Sequence, residues 1–152
     1  MIIVNAAVWV AIHLSISFIV FFCPESFVLK FSTIFKINKW EKNGSIYEKI
    51  KIRKWKHRLP EARKWFNNGT GKTAKDLREK GSLWKFELQT YRSELSHWMQ
   101  MLPAPLFFFF NSPLAGWINI MYAVLFNLPF IIIQRYNRSR LAKLKMLSLD
   151  RK

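Results

Sequence analysis

Residues 2–22 read IIVNAAVWVAIHLSISFIVFF. The run holds no Asp, Glu, Lys or Arg, and no lysine or arginine occurs before Lys30. At 1.5 Å per residue a helix of this length is roughly 30 Å long, the thickness of a bilayer's hydrocarbon core. Two further apolar blocks lie at residues 95–110 and 114–133. The charges lie elsewhere: of the 25 Lys and Arg, eighteen fall in 30–92 and seven in 135–152. Against 9 Asp and Glu the formal net charge is +16, in a chain of 152 residues that is 51% hydrophobic. One soluble core does not account for that mixture, whereas apolar spans with basic flanks do. We therefore expect an all-α integral membrane protein, a single membrane domain over 1–152, with about three transmembrane helices at 2–22, 95–110 and 114–133 plus interfacial helices. Basic loops beside spans stay in the cytoplasm, which makes the segment 30–92 and the tail 135–152 cytoplasmic or interfacial. The N-terminus and the turn Asn111-Ser112-Pro113 are then outside and the C-terminus inside, an arrangement that needs an odd number of crossings.

A cleaved signal peptide fits residues 2–22 poorly, because a positive n-region is missing and no small-x-small cleavage site precedes Pro24. The single Cys23 excludes an internal disulfide and reads as an apolar filler rather than a nucleophile. After Pro24-Glu25-Ser26 the short apolar run 27–35 reads as an interfacial or re-entrant helix. From Trp40 to Phe66, aromatic and aliphatic residues such as Tyr47, Ile52, Trp55 and Trp65 alternate with Lys and Arg. That interleaving suits a lipid headgroup layer, with nucleic acid as the rival reading; the flanking apolar spans favour lipid and no nucleic acid partner. Gly69-Thr70-Gly71-Lys72-Thr73 looks like part of a phosphate-binding loop. Phe66 stands where the full pattern needs its first glycine, so a solvated loop is expected. The Asn-x-Ser/Thr matches at Asn43, Asn68 and Asn137 fall in segments expected to be cytoplasmic.

Ionisable groups within apolar spans are candidates for function. Glu94 and His97, three apart on a helix, can be neighbours, and an imidazole held by a carboxylate can act as a general base near neutral pH. An interfacial ion pair marking the helix end is the alternative. Pro103 and Pro105 should kink this second span. In the third span Asn119, Asn127 and Gln134 fall within an arc of roughly 80°, extended by Arg138. That stripe is either a polar pocket open to the cytoplasmic leaflet or a set of interhelical hydrogen bonds. His13 sits in the middle of the first span and lines the same pocket or bonds a backbone carbonyl. The tail places Arg135, Arg138 and Arg140 within six residues; they suit bidentate phosphate binding, or serve as a plain positive-inside anchor. No metal-ligand cluster stands out.

Read in order, Arg53-Lys54-Trp55-Lys56-His57, Glu94-x-x-His97-Trp98 with Leu102-Pro103, Asn119-x-x-Tyr122, Asn127-x-Pro129 and Gln134-Arg135-Tyr136-Asn137-Arg138-x-Arg140-Leu141 resemble the small bacterial membrane acyltransferases of the glycosyl-4,4'-diaponeurosporenoate acyltransferase family. The resemblance covers most of the chain from about residue 40, weakly at 60–88 and strongly at 91–141. One departure is Ser139, where the family run tends to have proline. The resemblance implies a multi-pass protein of the bacterial cell membrane. It also implies transfer of a fatty acyl group to the sugar of a carotenoid glycoside in staphyloxanthin-type biosynthesis. On that reading His97 is the base, Glu94 orients it and Asn127 or another amide donates to the oxyanion. Arg53, Lys54, Lys56, His57, Arg135, Arg138 and Arg140 hold the donor, and Trp98, Asn119, Tyr122, Gln134, Tyr136 and Asn137 line the pocket. No cofactor is expected, acyl-CoA being the expected co-substrate. Three spans are few for two bulky amphiphiles, and a homodimer would enlarge the site. The functions of other classes are a non-enzymatic protein that binds anionic lipid or recruits a partner, and a lipid-modifying reductase or methyltransferase using a nucleotide cofactor.

Overall fold

A computed structural model describes residues 1–56, 59 and 82–149. Regular structure among them is entirely helical, so the all-α expectation holds. Helix α1 spans Ile2–Phe22, and only Trp9 and Val20 of it are buried. Ile2 is 86% exposed and Leu14 67%, a large apolar surface on one helix. Two described helices are long and apolar enough to cross a membrane, α1 and the stretch Pro113–Met146 of the last helix.

Short elements follow α1: α2 at Glu25–Lys30, a 3-10 turn at Lys39–Gly44, α3 at Ser45–Lys49 and α4 at Ile52–Trp55. The run 27–35 is thus only partly helical. Val28 and Phe35 anchor it in one cluster with Val20, Leu88, Tyr91 and Leu95. Tyr47 and Ile52 pack with Tyr136, flanked by Trp55, Ile132 and Ile133, so Tyr47 and Trp55 of this basic segment pack on the bundle, while Trp40 is exposed. Trp65, Phe66 and the Gly69–Thr73 loop lie outside the described residues, as does His57.

Helix α5 covers Ser82–Met101 and helix α6 covers Pro113–Leu149. Here the sequence expectation needs correction. Residues 95–110 are not one kinked helix: α5 stops at Met101, and 3-10 turns run from Ala104 to Phe109. Pro103 and Pro105 lack the N–H groups an α-helix would use, so the ladder shifts to i→i+3 bonds such as Leu102 N–H to Met99 O and Leu106 N–H to Pro103 O. Proline at the first position of α6 costs nothing, while Pro129 is accommodated inside it. At 37 residues α6 is longer than a bilayer is thick, so it extends well past the apolar stretch 114–133.

The three long helices meet through side chains. α5 and α6 run antiparallel, with Glu87 bonded to Lys145 near one end and His97 opposite Asn127 farther along. α1 lies parallel to α6: Asn5 pairs with Asn111 at 3.0 Å and Trp9 Nε1 donates to Asn119 Oδ1 at 2.8 Å. Arg92 of α5 closes the other end of α1, donating to the carbonyls of Val20 and Phe21 in its last turn, where the Cys23 N–H also reaches the Val20 carbonyl at 3.3 Å. Gly44 lies close against Ser139 of α6. Its φ is +89°, and a Cβ there would overlap Ser139, so only glycine fits. Ser139, buried, donates to the Tyr136 carbonyl at 2.7 Å.

Candidate functional site

Where α5, α6 and the 3-10 turn converge, four charged side chains form one buried chain of ion pairs. Glu94 is fully buried, and its two oxygens divide between two arginines one turn apart on α6. Arg135 Nη1 donates at 3.0 Å to Oε1, and Arg138 Nη2 donates to Oε2. Arg135 turns its remaining face to Glu41, donating from Nε at 3.3 Å and from Nη2, and it also reaches the Lys36 carbonyl at 3.3 Å. Arg138 is 2% exposed, sits 4.8 Å over the Tyr91 ring and donates to Thr90 Oγ1 at 3.4 Å. Glu41 in turn accepts from the Asn38 N–H at 2.8 Å and from the Tyr47 hydroxyl. Burial alone would raise the Glu41 carboxyl, but the hydrogen bonds from Arg135, Asn38 and Tyr47 outweigh it and hold the pKa below its ordinary value. Burial, reinforced by the bond to Glu41, pushes the Tyr47 hydroxyl up to about 12.

This network changes how the sequence motif reads. The expected pairing of Glu94 with His97 is not formed: both carboxylate oxygens face Arg135, Arg138 and, at 3.4 Å, Trp98 Nε1. Spacing allowed the pairing, but two guanidiniums outcompete one imidazole for a buried carboxylate. His97 is paired instead with α6, its Nδ1 2.9 Å from Asn127 Oδ1. The Asn127 amide nitrogen donates to the Ala123 carbonyl at 2.9 Å, which assigns the amide, since a carbonyl only accepts. Asn127 Oδ1 is therefore the acceptor, His97 Nδ1 carries the proton, and Nε2 keeps a free lone pair. Phe130 stacks on the imidazole at 4.7 Å and 9°, fixing the ring plane. Asn127 is fully buried, whereas His97 is partly open at the bundle surface.

The polar stripe of α6 does not serve one pocket. Asn119 is bonded to Trp9 and to the Ala115 carbonyl, an interhelical lock. Tyr122 lies 3.4 Å from His13 Nε2. Gln134 and Asn137 are partly buried. Of the candidate donor-binding cations, Arg135 and Arg138 are spent on carboxylates. The others gather around buried Tyr136: Arg53 Nε donates to its hydroxyl at 3.1 Å, Lys56 Nζ lies 5.2 Å from the ring centroid and Arg140 6.0 Å. Arg53 also pairs with Glu48 at 2.7 Å, and Lys54 is exposed. Beside this cluster an open apolar groove of about 390 Å³ is lined by Trp55, Leu59, Leu125, Leu128, Pro129 and Ile132, on the side of α6 turned away from Asn127.

Sequence reading passed over Glu41 and Gln100 and took Tyr47 only for an aromatic residue of the headgroup layer. Their signals were present: Glu41 is one of few acids in a strongly basic segment, and Gln100 is an amide inside an apolar block. No described group of three or more His, Cys, Asp or Glu side chains could hold a metal ion.

Comparison with known proteins supplies the family. The sequence profile of glycosyl-4,4'-diaponeurosporenoate acyltransferase matches residues 31–146. A protein of that name from Staphylococcus haemolyticus (strain JCSC1435) is 35% identical over 150 residues, covering 97% of this chain and 86% of the relative. Its namesake from Staphylococcus aureus (strain N315) is 34% identical over 137 residues, covering 90% and 82%. No solved structure matches the chain. The matched region takes in the Glu41 turn, the clamped arginines and the His97–Asn127 pair, and the chain belongs to the glycosyl-4,4'-diaponeurosporenoate acyltransferase family, membrane-associated acyltransferases of carotenoid biosynthesis.

Proposed function

We propose that the protein is a multi-pass enzyme of the cell membrane that moves a fatty acyl group from acyl-CoA to a sugar hydroxyl of a carotenoid glycoside. The observation that carries this reading is the His97–Asn127 pair: a tautomer set by a neutral amide, which leaves the lone pair on Nε2 of a partly exposed ring. The polyene of such an acceptor lies among lipid tails and brings its sugar to the bundle from the side. His97 Nε2 takes the hydroxyl proton as the oxygen attacks the thioester carbonyl. The tetrahedral intermediate collapses by breaking the C–S bond, and the imidazolium returns the proton to the departing thiolate. Asn127 takes the orienting role first assigned to Glu94, because its oxygen accepts from Nδ1 and stabilises the charged ring. The Glu41–Arg135–Glu94–Arg138 chain holds α5 against α6 so that this pair stays aligned. Arg53, Lys54, Lys56 and Arg140 offer the anionic donor head an electrostatic landing surface. In this reading the broken segment 95–110 is a third crossing, α-helical to Met101 and 3-10 beyond, and both basic stretches lie in the cytoplasm.

Replacing His97 with Ala, with membrane insertion verified, should abolish ester formation from a glycoside and acyl-CoA. Full activity in that variant removes His97 as the base. Recovery of an acylated side chain from labelled donor would replace direct transfer with an acyl-enzyme route.

A further inference from the structure

Hydrocarbon offers no substitute for water, so buried polar atoms in a membrane bundle are nearly always hydrogen-bonded. Among the described residues three buried side-chain atoms lack a partner: Nδ1 of His13, Oε1 of Gln100 and Nε of Arg138. The last belongs to the ion-pair chain. The first two come from different helices and meet beside His97. Gln100 is 3% exposed, and its amide nitrogen donates to Ser17 Oγ at 2.9 Å and reaches the His13 carbonyl and Ser96 Oγ, each at 3.4 Å. Because that carbonyl only accepts, the amide orientation is assigned and Oε1 is its free end. Gln100 stands one turn from His97 on α5, and its amide nitrogen lies 3.4 Å from the His13 carbonyl. His13 stacks 5.5 Å from Trp9 and 4.7 Å from Phe126, with Nε2 turned to Tyr122, which leaves Nδ1 unengaged.

We propose that Gln100 Oε1 and His13 Nδ1 form a sugar subsite that binds a hydroxyl neighbouring the one His97 deprotonates, an inference that rests on the reading of His97 as the base. The chemistry of the two atoms selects the ligand class. An amide oxygen only accepts, so its partner must bring a hydrogen; a phosphate oxyanion, a thioester carbonyl or an acyl chain brings none. An imidazole nitrogen takes either role according to tautomer. A sugar hydroxyl donates and accepts at once, and can serve both atoms. Helix α1 thereby contributes to recognition as well as to anchoring, and an acceptor lacking that hydroxyl leaves a buried oxygen unpaired.

The test uses the full-length protein in lipid bilayers, a fatty acyl thioester and a series of alkyl glucosides each lacking one secondary hydroxyl. Wild-type protein should lose kcat/KM by roughly 10- to 100-fold on one member of the series, the cost of leaving one buried acceptor unsatisfied. Gln100→Met, which keeps length and apolar fit, and His13→Phe, which keeps the stacking, should both slow acylation of the intact glucoside. Both should also flatten the series, so that the deoxy penalty disappears. Even treatment of the whole series by wild-type protein overturns the subsite and leaves the base assignment standing, as does an unchanged penalty in both variants. Failure of wild-type protein to acylate any glucoside overturns the acyltransfer reading itself and this subsite with it.

Discussion

Glu94→Gln separates a clamp from a catalyst. The substitution keeps the size of the side chain and removes the charge that Arg135 and Arg138 share. Arg138 is 2% exposed and would retain only uncharged partners, Thr90, the Tyr91 ring and at most the new amide oxygen, while Arg135 still has Glu41. Breaking a buried pair by removing one member costs about 3–5 kcal/mol, mostly the penalty of the charge left behind. Spread over a domain of this size, that corresponds to a fall of about 6–20 °C in Tm. The assay is thermal unfolding of the purified protein in one detergent, followed by size-exclusion chromatography after heating, beside activity measured well below either transition. A double substitution, Glu94→Leu with Arg138→Met, should regain most of the lost stability, since apolar groups replace a buried ion pair at little cost. It should also regain activity if the carboxylate only holds the helices together. The reasoning is refuted if Glu94→Gln leaves Tm unchanged while acylation collapses, for the carboxylate would then act on the reaction directly.

Two further outcomes follow from the same contacts. Arg92→Ala removes the donor that closes α1 at Val20 and Phe21, so the last turn should open by about 1 kcal/mol and Cys23, partly buried next to it, should label with a maleimide roughly fivefold faster. The pH limits of stability should trace to Glu41 and Tyr47. A carboxyl held below its ordinary value of 4.5 contributes fully above that pH and loses its contribution as pH falls through the lowered folded value. A hydroxyl raised from 10.0 to about 12 contributes fully below 10 and loses its contribution between the two values. Melting curves against pH should therefore lose the alkaline limb in Tyr47→Phe and most of the acid limb in Glu41→Gln; unchanged limbs would mean that other groups govern them.

Much of the architecture was legible because it follows from one-dimensional quantities. The uncharged run 2–22 and the apolar stretch 114–133 are long enough to cross a bilayer wherever the rest of the chain goes, and both appear as helices. Pro103 and Pro105 announced a disturbance, but whether the helix bends or gives way to 3-10 turns depends on which neighbours take the freed carbonyls. Glu94, His97, Asn127, Arg135 and Arg138 were singled out as candidate site residues, and the structure brings them to the interface of α5 and α6. Their partners were not singled out, because helical spacing states who can meet along one helix and says nothing of the competitor arriving from another. Glu94 had an imidazole three residues away and two guanidiniums across the interface, and charge decided between them.

Sequence by itself determined that the described part of this chain is helical, that two of its stretches, 2–22 and 114–133, are long and apolar enough to cross a bilayer, and that lysine and arginine stay out of both stretches. Hydropathy and charge act residue by residue, so these properties hold in any arrangement of the helices. Only the tertiary structure decided that Asn127 holds His97, that Arg135 and Arg138 are bound to carboxylates, and that Arg53, Lys56 and Arg140 surround Tyr136 instead. A polar group removed from water must be satisfied by whatever packs beside it, and that neighbour is known only once the helices have met.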